Sequence, residues 1–376
     1  MSTDFSQRWA WAEVNLGLIQ HNVAIIAQRI APTDVWAVVK ANGYGHGSVP
    51  VAQAALAAGA KGLCVAIVDE GVLLRRSGIQ APILVLSEQP AEMAELLVGY
   101  ALTPTVTTTR GAAAIATAAQ TTGRDVGVHI KVDTGMHRMG AQPSEVLGLA
   151  QYVGSHPQLT VEGVYTHFAV ADEPSHPANA AQLDAFRSVL DTLSARGINP
   201  PIVHAANSAA ALVNTDSRFT MARIGIATYG LLPGLGVAEE CHGLIPAMSL
   251  KARVSAVRWV EAGEAVSYGL RTPVSHQTLI ATVPIGYADG VPRRLGSVGA
   301  SVLVNGTPRR IAGTVTMDQI MVDCGNDSAV SVGDEVVLIG RQGEHVVTAD
   351  DWAGMTDTIG YEIVCGVSPR IFRRYA

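Results

Sequence analysis

The sequence predicts an α/β protein, an N-terminal (β/α)8 TIM barrel followed by a C-terminal all-β domain. Three observations carry this. Between residues 16 and 230, short β-branched apolar runs alternate with longer Ala- and Leu-rich periodic segments, the pattern of βα units with buried parallel strands. Eight such runs occur and no GxGxxG follows the first, which favours a barrel over a doubly wound sheet. After Leu-Leu-Pro-Gly-Leu-Gly at 231–236 the chain turns to short strand-like runs joined by Gly, Pro and Asn.

The eight runs are residues 35–40, 62–67, 82–87, 103–108, 126–132, 161–168, 201–206 and 221–230. Helical patterns lie between several of them, as at 92–100 after the third and 180–197 after the sixth. The domain boundary is expected near 240, giving 1–240 as the barrel and 241–376 as the β domain. Residues 9–15 are strand-like, are not needed by the barrel, and suit pairing with the β domain instead.

A chain of 376 residues supports two domains, and 48% hydrophobic with 15% charged residues is enough to bury a sizeable core. A net charge of −6 gives no basic surface for phosphate backbones, which argues against nucleic acid as a partner. Cys64, Cys241, Cys324 and Cys365 lie far apart with no CxxC or Cys/His metal spacing, and read as buried thiols. The first residues carry no basic start followed by an apolar core, and no apolar stretch is long enough to span a membrane. A cytoplasmic protein without membrane attachment is the expectation.

Barrel enzymes carry their reactive groups at the C-terminal ends of the strands. The first run ends in Lys40 and passes into Ala-Asn-Gly-Tyr-Gly-His-Gly. A lysine ending an apolar strand more often snorkels to the surface than is desolvated into a Schiff-base nucleophile; Gly43, Gly45 and Gly47 narrow the odds between the two, because they let backbone approach a ligand. The fifth run supplies Lys131, with Asp133, His137 and Arg138 in the loop beyond. The sixth brings His167 and the seventh His204, either of which alone would read as a hydrogen-bonded core histidine. Arg223 interrupts the eighth and, if buried, needs a partner. The N–H groups of Gly225 and Ile226, with the Ser208 hydroxyl, can cradle an anion. No carboxylate pair and no divalent-metal cluster accompanies these groups. A cationic pocket with an imine-forming lysine meets the requirements of pyridoxal 5′-phosphate.

The segment Ala-Val-Val-Lys-Ala-Asn-Gly-Tyr-Gly-His-Gly (37–47) resembles the cofactor-lysine signature of the alanine racemases, pyridoxal-phosphate enzymes of fold type III. Lys131-Val-Asp-Thr-Gly-Met-His-Arg-Met-Gly, Thr166-His167-Phe168-Ala169, His204-Ala-Ala-Asn207-Ser208, Arg223-Ile-Gly225, Val266-Ser267-Tyr268-Gly269, Pro284-Ile-Gly-Tyr287-Ala-Asp289-Gly, Met317-Asp318-Gln319 and Gly360-Tyr361-Glu362 resemble further blocks of that family, in the same order along nearly the whole chain.

The resemblance implies a two-base racemisation of alanine that supplies D-alanine for peptidoglycan. Lys40 would hold the cofactor and serve as base on one face of the α-carbon, and Tyr268 on the other. Arg223 would donate to the pyridine nitrogen, with His204 and His167 extending that network. Tyr44, Ser208, Gly225, Ile226 and Tyr361 would hold the phosphate. Arg138 would bind the substrate carboxylate with the N–H of Met317, and Lys131 matches a position that is carbamylated in related enzymes. Asp172 and Tyr287 resemble residues of the entrance corridor. The family's base tyrosine and Met-Asp loop come from a second subunit, which implies a homodimer. Three departures stand out: Gly43 where many members have Ala, Gly360 where Pro is common, and Gly-Thr-Val-Thr at 313–316. The rival readings are a fold-type III racemase for a larger amino acid, an amino-acid decarboxylase, and a non-catalytic pyridoxal-phosphate carrier.

Overall fold

The computed structural model describes residues 7–376. They form two compact units, one of residues 18–43 and 48–245, the other of residues 7–17, 44–47 and 246–376.

Strand β1, Ala10–Val14, belongs to the second unit. The first unit holds eight parallel strands, β2 Asp34–Val38, β3 Gly62–Val65, β4 Ile83–Val85, β5 Thr105–Val106, β6 Val126–Lys131, β7 Leu159–Tyr165, β8 Ile202–His204 and β9 Met221–Ile224. They pair in the orders β4-β3-β2-β9 and β5-β6-β7-β8. Backbone bonds join the edges of these two sheets. Thr103 donates to Ile83 at 2.8 Å and Val85 to Thr103 at 3.0 Å; Thr220 donates to Val203 at 3.1 Å and Arg223 to Ala206 at 3.0 Å. The eight strands therefore close into a ring, and the edges that would invite aggregation disappear.

Helices cover the ring for reasons visible in their sequences. In Thr109–Thr122 the side chain of Thr108 accepts from the Gly111 N–H at 2.9 Å, and Gly123 ends the helix in the left-handed region. Its buried residues Ala112, Ile115, Ala116 and Ala119 recur at helical spacing. The small side chains let the helix lie close, which is how a chain with few aromatics packs its core.

The second unit is built on a sheet in the order β16-β15-β18-β10-β1-β20, where β10 is Met248–Arg253, β15 Ser301–Val304, β16 Thr307–Arg310, β18 Glu335–Gln342 and β20 Phe372–Tyr375, with β19 His345–Val347 also paired to β18. Ala12 faces Leu250 of antiparallel β10 and Arg373 of parallel β20. Smaller sheets hold β11 Ala256–Val260, β14 Thr278–Val283 and β17 Ile320–Asp323, and the hairpin of β12 Ala265–Val266 with β13 Thr272–Pro273. Strands dominate, yet two helices, Ala349–Thr356 and Gly360–Cys365, correct the expectation of an all-β domain. Thr348 and Asp351 start the first with reciprocal side-chain bonds to each other's N–H at 2.9 and 2.8 Å, and Trp352 is buried beneath it.

The division falls at Ile245 and Pro246, beyond the 240 read from the sequence. Asn22 exchanges two hydrogen bonds of 2.9 Å with the Ile245 backbone, and Arg29 donates to the carbonyls of Glu240 and His242 at 2.6 Å. These bonds clamp 240–245 to the first barrel helix. None of the four cysteines is in a disulfide; Cys64, Cys241 and Cys324 are buried but Cys365 is exposed, against the reading of all four as buried. Among the described residues no helix is long and apolar enough to cross a membrane.

In the second unit Gly45 has φ +81°, and a Cβ there would stand 2.1 Å from the Val364 carbonyl oxygen. Gly45→Ala is expected to cost about 2–4 kcal/mol of stability, from left-handed backbone and overpacking together. Urea unfolding checks this: an unchanged midpoint would contradict the contact.

Candidate active site

The first barrel strand ends at Val38, and Lys40 opens a turn whose next four residues, Ala41, Asn42, Gly43 and Tyr44, all have φ between +50° and +61°. A left-handed turn costs L-residues roughly 1–2 kcal/mol each, so three non-glycines there need bracing. Glu70 supplies much of it, accepting from the N–H groups of Ala41 at 2.6 Å and Ala66 at 2.8 Å. Gly43 donates to Val39 at 2.9 Å, and the Asn42 side chain accepts from Ser48 at 3.1 Å. Half-buried Lys40 is thereby held at the strand's C-terminal end.

Three neighbouring strands, β7, β8 and β9, converge on Arg223, which is 3% exposed. Its Nη1 donates to His204 Nδ1 at 2.7 Å, and its Nη2 to His167 Nδ1 at 3.1 Å and to the carbonyls of Thr166 and Ala205 at 2.8 and 2.9 Å. Tyr165 lies under the guanidinium, its ring centroid 5.1 Å from the central carbon, and stacks on His204 at 4.4 Å. Arg223 meets no carboxylate among the described residues. Burial, and then the Arg223 charge, hold His167 and His204 well below the ordinary histidine range, so both rings are neutral acceptors.

Lys131 ends β6, buried, its Nζ 5.6 Å from the Tyr165 ring centroid. Burial, then Arg223, Arg138 and Lys40, push its pKa down to about 8, with Asp133 opposing. In the loop beyond, the Asp133 carboxylate accepts from the N–H groups of Gly135 and His137, both at 3.0 Å, which shapes the turn that leads to exposed Arg138. Ser208 opens the helix Ser208–Val213, and its Oγ accepts from the Gly225 N–H at 2.9 Å. That N–H, read from the sequence as an anion donor, thus points at the serine hydroxyl here, while Ile226 begins the next turn with the orphan N–H of a helix start. Asp172 lies in the loop after β7, where a Cβ on Gly234 would strike it.

In the second unit the other sequence-predicted residues gather around residues 313–318. Tyr268 is 73% exposed on the turn between β12 and β13. Ser267 Oγ donates to the Thr314 carbonyl at 2.7 Å, and Thr314 Oγ1 donates to the Tyr268 carbonyl at 3.1 Å. Tyr287 donates its N–H to Thr316 and Ala288 to Met317, both at 3.0 Å, so Tyr268, Met317 and Tyr287 share one backbone frame. Buried Asp289 anchors it, accepting from Arg8 at 2.5 and 2.6 Å and from the Gly286 N–H at 3.0 Å, while Arg370 bridges Asp289 and Asp318 at 3.3 and 2.7 Å. Tyr44 and Tyr361 also belong to this unit, ring centroids 6.0 Å apart.

Sequence reading missed Glu70, Tyr165, Asp289 and His129 as contributors. Tyr165 lies in the sixth apolar run and Asp289 inside a quoted motif, and His129 lies two residues before Lys131, on the same strand face by alternation. Glu70 gave no signal, since its role depends on a turn that few sequences specify.

Lys40, Lys131, Arg138 and Arg223 form a surplus of cations, with Arg223 buried and meeting no counter-ion among the described residues. Such a site fits a phosphate ester and a carboxylate, and pyridoxal phosphate with an amino acid brings both. Fold and site together define a barrel-type, pyridoxal-phosphate-dependent enzyme.

Residues 14–233 match the alanine racemase N-terminal domain and 247–375 the alanine racemase C-terminal domain. The alanine racemase of Symbiobacterium thermophilum is 47% identical over 98% of this chain and 97% of its own length. The crystal structure of alanine racemase from Streptomyces lavendulae, a D-cycloserine producer, superposes with a TM-score of 0.92 at 38% identity, covering 98% of this chain and 97% of that one. A histidine racemase from Leuconostoc mesenteroides gives 0.91 at 30% identity, covering 98% of both. The chain belongs to the alanine racemase family, isomerases that depend on pyridoxal phosphate.

Proposed function

We propose that this protein interconverts L- and D-alanine by a two-base mechanism and supplies D-alanine for peptidoglycan in the cytoplasm. The observation that carries the reading is buried Arg223, held by neutral imidazoles and carbonyls and by no carboxylate. Bound pyridoxal phosphate supplies an electron sink that acidifies the substrate Cα–H. Arg223 would hold the pyridine nitrogen and, as a donor that keeps its own proton, would limit side reactions that need a protonated, stronger sink. Tyr44, Ser208, Gly225, Ile226 and Tyr361 would hold the phosphate, and Arg138 with the Met317 N–H would hold the substrate carboxylate. Lys40 Nζ carries the cofactor and exchanges a proton on one face of Cα, and Tyr268 Oη exchanges one on the other. Both are needed, because inversion removes a proton from one side and returns one to the opposite side.

Tyr268 and Met317 act in the site of a second copy, so the working unit is a homodimer. Exposed Tyr268, Leu270, Met317 and Tyr287 in the second unit support this, as apolar side chains that a partner would cover. Asp172 and Tyr287 line the way in. A substrate panel of D- and L-amino acids tests the whole reading: alanine is the expected preferred substrate, and no racemisation of alanine would end it. A second reading, a racemase for a larger amino acid, is favoured by the likeness to the histidine racemase. The same panel decides between them.

Lys131 is proposed to carry a carbamate that orients Arg138. Its neutral amine adds to carbon dioxide and releases one proton, so occupancy rises with pH through about 8 and falls below it. Protein in 13C-bicarbonate at pH 8 should show a carbamate carbon resonance that Lys131→Ala lacks, with racemisation in that variant falling about tenfold or more. An identical spectrum from both proteins would remove the carbamate from the account.

A further inference from the structure

His129 takes no part in the mechanism above, yet it is fully buried in the barrel and bonded to its cofactor-facing network. Arginine has only donors, so His204 Nδ1, 2.7 Å from Arg223, accepts, and the His204 proton sits on Nε2. That Nε2 lies 2.9 Å from His129 Nδ1. His129 therefore accepts in turn and carries its own proton on Nε2, an atom with no hydrogen-bond partner among the described residues. Burial, with the Arg223 charge, pushes the His129 pKa down to about 3, consistent with a neutral acceptor. The nearest carboxylate oxygen, on half-exposed Glu162, stands 3.9 Å from His129 Nε2.

The strands make room for this chain of groups. A Cβ at Gly163 would come 2.6 Å from the His129 ring, and one at Gly127 2.5 Å from Glu162 Oε2. Both hydrogen bonds are directional, running from Arg223 N–H to His204 and from His204 N–H to His129.

We propose that His129 is a positioning residue, which accepts the Nε2 proton of His204 and so fixes the tautomer in which His204 presents a lone pair to Arg223. An isolated imidazole has little preference between its two tautomers. With His129 in place, the alternative would aim N–H at N–H on the Arg223 side and leave the acceptor on His129 unused. Without His129, the His204 N–H is buried and unsatisfied, and the ring has reason to turn away from Arg223. The consequence for catalysis rests on the racemase reading, through Arg223; the tautomers do not depend on it.

The test uses His129→Phe, which removes the acceptor, and His129→Asn, which keeps an acceptor near the Nδ1 position. Long-range 15N correlation spectra of histidine-labelled, cofactor-free protein at pH 7 should show His204 and His129 as neutral Nε2–H rings. His204 should become mixed between tautomers in His129→Phe and return to Nε2–H in His129→Asn. In the loaded enzyme, kcat for alanine should fall about tenfold in the Phe variant with KM nearly unchanged, and recover in the Asn variant. An unchanged His204 tautomer in a folded Phe variant overturns the assignment, and so does an Asn variant no better than Phe. Should the protein racemise no alanine, the racemase reading fails, while the spectra still decide the role of His129.

Discussion

Lys40→Ala is expected to lower alanine racemisation by about 10⁴-fold or more, the largest single effect in this protein. The residue has two proposed tasks, carrying the cofactor and moving a proton on one face of Cα, and alanine performs neither. The variant should also lose covalent hold of pyridoxal phosphate, so that dialysis strips the cofactor and its visible absorption from it but not from the parent. Stability should change little, because Glu70, Asn42 and the Gly43 N–H brace the left-handed turn after Lys40. A variant that keeps dialysis-resistant absorption and more than about a hundredth of parental activity would contradict both assignments.

Tyr268→Phe should lower racemisation by about 10²–10⁴-fold, the range expected for loss of a general acid or base. The substitution removes one oxygen from an exposed ring whose loop is held by Ser267 and Thr314 through backbone carbonyls, so the fold is untouched. It should also unbalance the enantiomers: α-proton exchange should persist on the Lys40 side and fail on the other. Because Tyr268 is proposed to act in a partner's site, mixing inactive Lys40→Ala and Tyr268→Phe proteins should restore activity. Random reassortment leaves about one site in four native, so recovery near a quarter of the parental rate is expected from statistics alone. No recovery after subunit exchange would place Tyr268 in its own chain's site.

Much of this architecture was legible because buried parallel strands are near-continuous apolar runs, and each of the eight runs overlaps one strand of the ring, although β2 and β7 begin one and two residues before theirs. Strand ends were less legible. The eighth run continues to Gly230, but β9 stops at Ile224 where Gly225 turns the chain into a short helix. The apolar pattern fits either state, and turn geometry decides. The turn at Ala41–Tyr44 was hidden for a sharper reason: alanine, asparagine and tyrosine seldom adopt φ near +50°, and only tertiary contacts such as Glu70 hold them there.

The chemistry at the strand ends followed the same division. That Arg223 must have partners came from its apolar neighbours; that those partners are two imidazoles and two carbonyls came from the adjacency of β7, β8 and β9 in the closed ring. Lys131 stands out by charge in an apolar strand, whereas the role of His129 rests on the second histidine at its Nδ1, which only the closed ring brings there. In the second unit, Tyr268, Met317 and Tyr287 lie up to 49 residues apart in sequence, and only the loop at 314–317 shows that one frame positions them.

Racemisation in deuterium oxide tests the central claim most directly. Starting from each pure enantiomer of alanine, the wild-type protein with pyridoxal phosphate should invert configuration and place solvent deuterium on the α-carbon of the product formed from either side. Retention of the α-proton in both enantiomers, with no inversion, would contradict the two-base reading of Lys40 and Tyr268.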